Sequence, residues 1–233
     1  IIFLNKNQIE IELNGKIIES FHCDDPLEYI EKLHKSFDLK KNNDLPIFNG
    51  GLVGYFGYDC VRYIESKLVD SEPPDTIGTP DALFMISDEV AVFDNLKNKL
   101  HLIVLIESEE DEGKANTRLD ELEDKLKVNL PYEDFNKPAK SIKETDFVSG
   151  FGEDEFKNSV DRAKKYIESG DIMQVVCSQR MSIPFNADPV ALYRSIRQLN
   201  PSPYMYYLNL KEFHIVGSSP EILARLEDGK ITV

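Results

Sequence analysis

The chain has 233 residues, 41% of them hydrophobic, with 27 Lys and Arg against 42 Asp and Glu and a formal net charge of −15. This length and apolar content predict a folded chain of one large or two small domains, not a disordered tail. The acidic balance argues against nucleic acid or an anionic membrane as the partner, because both are bound by basic surfaces.

The cysteines bear on the cellular compartment of the protein, and the chain ends bear on whether the sequence is a fragment. Cys23, Cys60 and Cys177 are far apart and odd in number, which argues against a disulfide framework and favours a reducing cytoplasm. No apolar run reaches membrane-spanning length, and no signal peptide opens the chain. The strand-like run at residues 1–4 has no initiator Met, and residues 231–233 fit the second arm of a hairpin, so we expect an internal fragment.

The first predicted elements are a hairpin and a helix. Residues 8–13 alternate apolar and polar side chains, and Asn14-Gly15 precedes a second apolar run, which predicts a β-hairpin. Asp25-Pro26 is typical of a helix start, with Asp as the N-cap and Pro at the first helical position.

The next stretch, residues 49–59, carries glycines at 51, 54 and 57. Their spacing does not match a dinucleotide-binding loop, so we expect a strand with bulges or close backbone contacts. Further strands are predicted at residues 82–92 and 100–106, and a helix with an acidic, solvated start at 108–127.

A polar stretch with Pro131 and Pro138 predicts a domain linker at residues 129–146, between domains at 1–128 and 147–233. In the second domain the pattern predicts a helix ended by Gly170, a strand at 172–181 and a helix opened by Asp188-Pro189. Strands at 204–210 and 214–217 and a final hairpin follow. Hairpins outnumber crossover units, so the predicted fold class is α+β.

The residues that could carry chemistry do not by themselves identify an enzyme. His22, His34, His101 and His214 lack metal-ligand spacing, so structural roles are expected for them. Two segments are unusual. Asn200–Met205 (NPSPYM) places two stiffening prolines at a helix-to-strand corner, and residues 217–221 (GSSPE) offer small residues and hydroxyls at a strand end. An ordinary loop and a plain turn are the alternatives.

Together with two other segments, these residues resemble the chorismate-binding enzyme family, and within it the anthranilate synthase component I group. The segment GDIMQVVCSQR at 170–180 resembles a family hallmark, and NPSPYM at 200–205, IVGSSPE at 215–221 and GGLVGYFGYDCVRYIE at 50–65 resemble further blocks in the same order. The sibling group, aminodeoxychorismate synthase, differs at 176–179 and 202–204. The resemblance implies mainly antiparallel sheets in a β-sandwich-like core with helices packed outside.

The resemblance also implies a reaction: chorismate and ammonia give anthranilate and pyruvate, with Mg²⁺ as Lewis acid and a glutamine amidotransferase subunit as the ammonia source. L-tryptophan, the pathway product, acts as feedback inhibitor, and Pro203, Tyr204 and Met205 match residues that line its site. The family's catalytic His, Mg²⁺-binding glutamates and PIAGT segment are expected beyond Val233, and its LLES segment before Ile1. No catalytic residue or metal ligand is therefore predicted within this chain.

Two rival interpretations stay open from the sequence. One is another chorismate-using enzyme, such as the synthase component of aminodeoxychorismate synthase. The other is a non-catalytic tryptophan-binding or structural fragment, because the catalytic groups of the family do not map onto this chain.

Overall fold

The computed structural model describes residues 1–37, 42, 44–129, 142–227 and 229–233. The chain divides into two compact units, Ile1–Pro131 and Tyr132–Val233. Most of the predicted linker at 129–146 lies outside the described residues, so that domain assignment stays a prediction.

A five-stranded antiparallel sheet forms the centre of the first unit. Its strands are β1 (Ile2–Asn5), β2 (Gln8–Leu13), β3 (Lys16–His22), β4 (Gly51–Phe56) and β5 (Ala82–Ser87). Their order is β3-β2-β1-β5-β4, so β1 pairs with both β2 and the distant β5. The first strand of the chain thus lies in the middle of the sheet.

Local sequence signals set the turn and the helix beside this sheet. Asn14 and Gly15 have φ of 51° and 78°, which confirms the predicted tight hairpin between β2 and β3. Helix α1 (Pro26–Ser36) begins as predicted, because the Asp25 carboxylate accepts the Glu28 N–H at 2.9 Å.

The core of this unit lies where α1 and the 3₁₀ segment Tyr58–Tyr63 meet the sheet. Its members are buried apolar side chains from the centre of the sheet, one from the helix and one from the 3₁₀ segment, and none of them is more than 7% exposed. Burial of this kind is the main stabilising term of a domain. The core cluster comprises Ile2, Leu4, Ile9, Ile30, Cys60, Ala82 and Phe84.

The predicted single strand at 82–92 is wrong in one respect, because it breaks at Asp88 into two strands of different sheets. After β5, strand β6 (Glu89–Asp94) pairs with β7 (Lys99–Val104) in a separate hairpin. After the break the chain pairs with a different strand, β7. The local pattern of apolar residues does not predict which strand will be the partner.

Helix α2 (Glu112–Lys127) follows, as predicted, after a 3₁₀ turn at Glu109–Asp111. Its Arg118 guanidinium binds both Glu89 carboxylate oxygens, at 2.6 and 3.0 Å, and so joins the helix to β6. Further 3₁₀ turns lie at Ser66–Ser71 and Glu144–Asp146.

The described part of the second unit contains two α-helices and three short antiparallel ribbons. Leu210 is the one side chain classed as buried in the part of this unit that the structure describes. The elements are β8 (Val148–Ser149), α3 (Glu153–Glu168), β9 (Met181–Ser182), α4 (Pro189–Leu199), β10 (Tyr204–Asn209), β11 (His214–Ser219), β12 (Arg225–Glu227) and β13 (Lys230–Thr232).

Both helix boundaries follow the predicted signals. Gly170, with φ of 83°, lies just past the end of α3. The Asp188 carboxylate accepts the N–H groups of Val190 and Ala191 at 2.7 and 3.0 Å, which caps α4. The spacing of Leu192, Ile196 and Leu199 predicts that all three face the core, but Leu199 is 84% exposed.

The strand predicted at 172–181 is wrong except at its end. Met181 pairs with Ser149, and residues 172–180 are irregular, with Met173 97% exposed. A strand needs a neighbouring strand along its length, and at this end of the segment the structure gives a backbone bond from the Gly150 N–H to the Arg180 carbonyl, at 3.3 Å, beside the short β8–β9 pair. Apolar patterning alone therefore overstated the strand.

The α+β class is confirmed, since antiparallel ribbons and sheets combine with helices in both units. All strand pairs between described residues are antiparallel. Within the described ranges, no helix has the length and apolar character needed to cross a membrane.

A candidate ligand site at the proline corner

The NPSPYM corner, Asn200–Met205, connects the end of α4 to the start of β10. The Asn200 N–H donates to the Ile196 carbonyl at 2.8 Å and completes the last helical turn. Pro201 disfavours helical backbone at the residue before it, and Asn200 accordingly has φ of −143° and ψ of 67°. The helix therefore stops at Asn200 and the chain turns into the strand.

The ladder between β10 and β11 brings the corner against the GSSPE segment, Gly217–Glu221. Tyr204 lies opposite Ser219, and Met205 lies opposite Ser218. The two unusual segments of the sequence are thus neighbours in space. The Ser218 hydroxyl also donates to the Asn200 carbonyl at 2.8 Å, so β11 is bonded to the end of α4.

The two faces of this ribbon differ in cover. Successive side chains of a strand point to opposite faces, so Tyr204 and Tyr206 share one face and Met205 and Tyr207 share the other. The Tyr207 ring lies near the Tyr193 ring of α4, tilted at 56° to it with ring centroids 6.3 Å apart, so the helix covers the Met205 face. Tyr204 and Tyr206 keep 42% and 43% of their surface exposed.

The predicted ligand residues, Pro203, Tyr204 and Met205, are adjacent in the chain, but the side chains of Tyr204 and Met205 point to opposite faces of the ribbon. A ligand on the open face would meet the ring of Tyr204, while Met205 would support the corner from the helix side. Pro203 is exposed at the start of the strand. The role of all three residues in binding stays a prediction.

Gly217 gives the open face its shape. A Cβ at this position would overlap the Tyr206 ring, which lies directly over the glycine on the opposite strand. The missing side chain thus lets the Tyr206 ring approach the backbone of β11 closely.

Ser202 supplies a polar group that the sequence analysis did not single out. Its Oγ is buried, and it has no hydrogen-bond partner among the residues that the structure describes. A buried hydroxyl without a partner costs roughly 1–3 kcal/mol, so such a group is notable beside a candidate ligand site.

A concavity with a volume of about 550 Å³ lies in the first unit, and Asn5, Lys6, Glu72 and Asp81 contribute to its lining. Its polar groups largely serve one another. The Asp81 carboxylate accepts the Tyr63 hydroxyl at 2.8 Å and the Lys6 N–H at 2.6 Å.

Over the described ranges, no group of three or more His, Cys, Asp or Glu side chains suits a metal ion. The side chains that the structure describes therefore do not fit a Mg²⁺ site.

The chain is an antiparallel α+β protein in which the NPSPYM corner lies beside the GSSPE strand end. Comparison with known proteins identifies its family. The model of the chorismate binding enzyme family matches residues 6–233. The chain belongs to the chorismate binding enzyme family.

Relatives and a solved structure agree with this assignment. The chain is 46% identical over 230 residues to anthranilate synthase component 1 of Pseudomonas aeruginosa, covering 97% of this chain and 47% of that protein. The protein of the same name from Aquifex aeolicus is 40% identical over 226 residues, covering 95% and 45%. The crystal structure of anthranilate synthase component I from Streptococcus pneumoniae TIGR4 has 28% identity and a TM-score of 0.74, covering 99% of this chain and 50% of that one. The chain spans about half the length of the curated relatives that it matches.

Proposed function

We propose that this chain is part of the synthase component of anthranilate synthase, a lyase that converts chorismate and ammonia into anthranilate and pyruvate. This reaction opens L-tryptophan biosynthesis. The observation that carries the proposal is 46% identity over 97% of the chain to a protein named for that activity. The NPSPYM and IVGSSPE segments, which lie side by side in the fold, support it.

The proposed partners follow from the same assignment. A glutamine amidotransferase subunit supplies the ammonia, and the assembly works in the cytoplasm, which suits the three free cysteines. Mg²⁺, when bound, acts as a Lewis acid on chorismate. Its ligands and the catalytic groups are assigned to parts of the family fold that this chain does not span, so the chain alone is inactive.

The role proposed for this chain is to sense L-tryptophan at the NPSPYM corner. The half-exposed Tyr204 ring offers an aromatic surface to an indole, where such pairs contribute roughly 0.5–1.5 kcal/mol beyond burial. Pro201 and Pro203 limit the conformations that the corner loses on binding. Inhibition then requires that tryptophan favour a state with a less competent chorismate site.

Enzyme activity tests the first part of the proposal. The natural gene product that carries this chain, with chorismate, ammonia and Mg²⁺, is expected to release fluorescent anthranilate, while residues 1–233 alone give no signal above background. Formation of the 4-amino adduct of chorismate instead of anthranilate would replace the proposal with the sibling enzyme. Turnover by residues 1–233 alone would contradict the division of roles.

Inhibition tests the second part. Met205→Thr and Pro203→Ala are expected to raise the tryptophan concentration for half-inhibition and to spare kcat at saturating chorismate. Met205→Thr acts by weakening the support beneath the corner, and Pro203→Ala by loosening the backbone. If both variants keep wild-type inhibition, the corner is only a packing element.

A further inference from the structure

We propose that Ser218 is a positioning residue for the tryptophan-sensing corner, acting through its hydrogen bond to the carbonyl of Asn200. This inference rests on the function proposed above. Ser218 does not face the open side of the ribbon. Its cross-strand partner is Met205, on the face that α4 covers, so it is placed to act on the backbone of the corner and not on the ligand.

The reason lies in the torsions that the corner leaves free. Pro201 and Pro203 each fix their own φ, and Pro201 keeps Asn200 out of the helical region, but neither holds ψ of Asn200 at one value. That torsion sets the plane of the Asn200–Pro201 peptide, and with it the direction in which the corner leaves the helix. The carbonyl oxygen of this peptide is the atom that accepts the Ser218 hydroxyl at 2.8 Å.

The bond also serves an exposed helix end. The last carbonyls of a helix have no intrahelical donor, and Asn200 caps α4, so its carbonyl needs a partner from elsewhere. Ser218 provides one from 18 residues along the chain. One end of the bond is thus fixed by the β10–β11 ladder and the other by α4, and the corner between them is held in a single orientation.

The consequence concerns ligand affinity. A corner already held in the bound orientation pays less to bind, so loss of the hydroxyl weakens tryptophan binding without touching the ligand. The net free-energy contribution of one neutral hydrogen bond corresponds to a roughly two- to tenfold change in the tryptophan concentration for half-inhibition.

Three substitutions at one position separate the hydroxyl from the shape of the side chain. Thr and Val have nearly the same shape and both suit a strand, but only Thr keeps a donor. In the natural gene product, Ser218→Val and Ser218→Ala are expected to raise the half-inhibitory tryptophan concentration by about two- to tenfold. Ser218→Thr is expected to stay near the wild-type value, and kcat at saturating chorismate is expected to hold in all three.

Ser195→Ala is the matched control. The Ser195 hydroxyl also donates to a backbone carbonyl, that of Ala191 at 2.9 Å, but it does so within α4 and away from the corner. It is expected to leave inhibition unchanged. Thermal unfolding of each variant shows that it is folded, and the Thr and Val pair decides the matter even if Ser218→Ala does not fold.

The outcomes separate this inference from the proposed function. Wild-type inhibition in Ser218→Val, together with loss of inhibition in Met205→Thr, would overturn the role of Ser218 and leave the tryptophan site standing. Equal loss in Ser218→Thr and Ser218→Val would also overturn it, because the hydroxyl would then be irrelevant. If the wild-type enzyme is not inhibited by tryptophan, the proposed tryptophan site fails and this inference fails with it, while the proposed reaction is tested separately by anthranilate formation.

Discussion

At Gly54, strand β4 passes so close to β5 that a side chain cannot fit. A Cβ there would overlap the carbonyl oxygen of Leu83, and that oxygen belongs to backbone that cannot rotate away. We expect Gly54→Ala to lower the free energy of unfolding by about 1–3 kcal/mol or more, measured by denaturant titration.

Gly113, in α2, is the control for this substitution. A Cβ at Gly113 meets no atom within 4 Å, so Gly113→Ala should be neutral or stabilise the helix slightly. Equal destabilisation by the two variants would contradict the role given to the close contact at Gly54.

The Cys60 thiol gives the first unit a sensitivity to alkali. Burial, with the charge of Asp81 second, raises the pKa of Cys60 from 9.0 to about 11. The folded state therefore holds its proton more tightly than the unfolded state does. The stability that this contributes is complete below pH 9 and is lost as the pH rises through about 11.

The expected result is a steeper fall of unfolding free energy with pH, between 9 and 11, in the wild type than in Cys60→Ala. Chemical denaturation across that range measures the difference. Cys177→Ala, which alters a half-buried thiol in the other unit, serves as the control and should keep the wild-type slope. Parallel pH profiles for wild type and Cys60→Ala would refute the assignment.

At the scale of elements, the N-cap of α4 links local sequence to the candidate site, because this helix ends at the corner. Asp188→Ala removes the acceptor for two backbone N–H groups and is expected to cost about 0.5–2 kcal/mol in thermal or chemical unfolding. Asp188→Asn keeps a good capping oxygen and should retain most of the stability. If Asn is as damaging as Ala, the carboxylate acts through something other than the cap.

Elements with local causes were predictable, and elements with distant causes were not. The Asn14-Gly15 turn and the Asp25 and Asp188 caps depend on a few adjacent residues, and each formed as expected. The break at Asp88 depends on which strand comes to lie alongside, and in the segment predicted as a strand at 172–181 only Met181 forms a strand pair among the described residues.

The candidate site follows the same division. Resemblance pointed to Pro203, Tyr204 and Met205, and proline chemistry predicted the stiff corner. The register of the β10–β11 ladder places Ser218 beside Asn200, and the spacing of residues in the sequence does not predict that register. The alternation of Tyr204 and Met205 between faces could have been predicted from the strand itself.

At the scale of the whole molecule, the two compact units raise the question of what connects them. Segments between domains are the sites that proteases cut first. We expect brief trypsin treatment to cleave first within residues 129–146, where the sequence holds Lys140 and Lys143, neither of which is followed by Pro. Mass spectrometry of the first two fragments locates the cut, and an initial cut inside either unit would contradict the predicted linker.

The central place of β1 in the sheet of the first unit has a consequence for folding during translation. The hairpins β1-β2-β3 are complete by residue 22, but β5, the other neighbour of β1, ends only at Ser87. At translation rates of about 5–20 residues per second, one edge of β1 waits roughly 3 to 13 seconds for its partner. During that interval the nascent chain presents an unpaired strand edge bearing Ile2 and Leu4, the kind of surface that chaperones shield and that promotes misassembly.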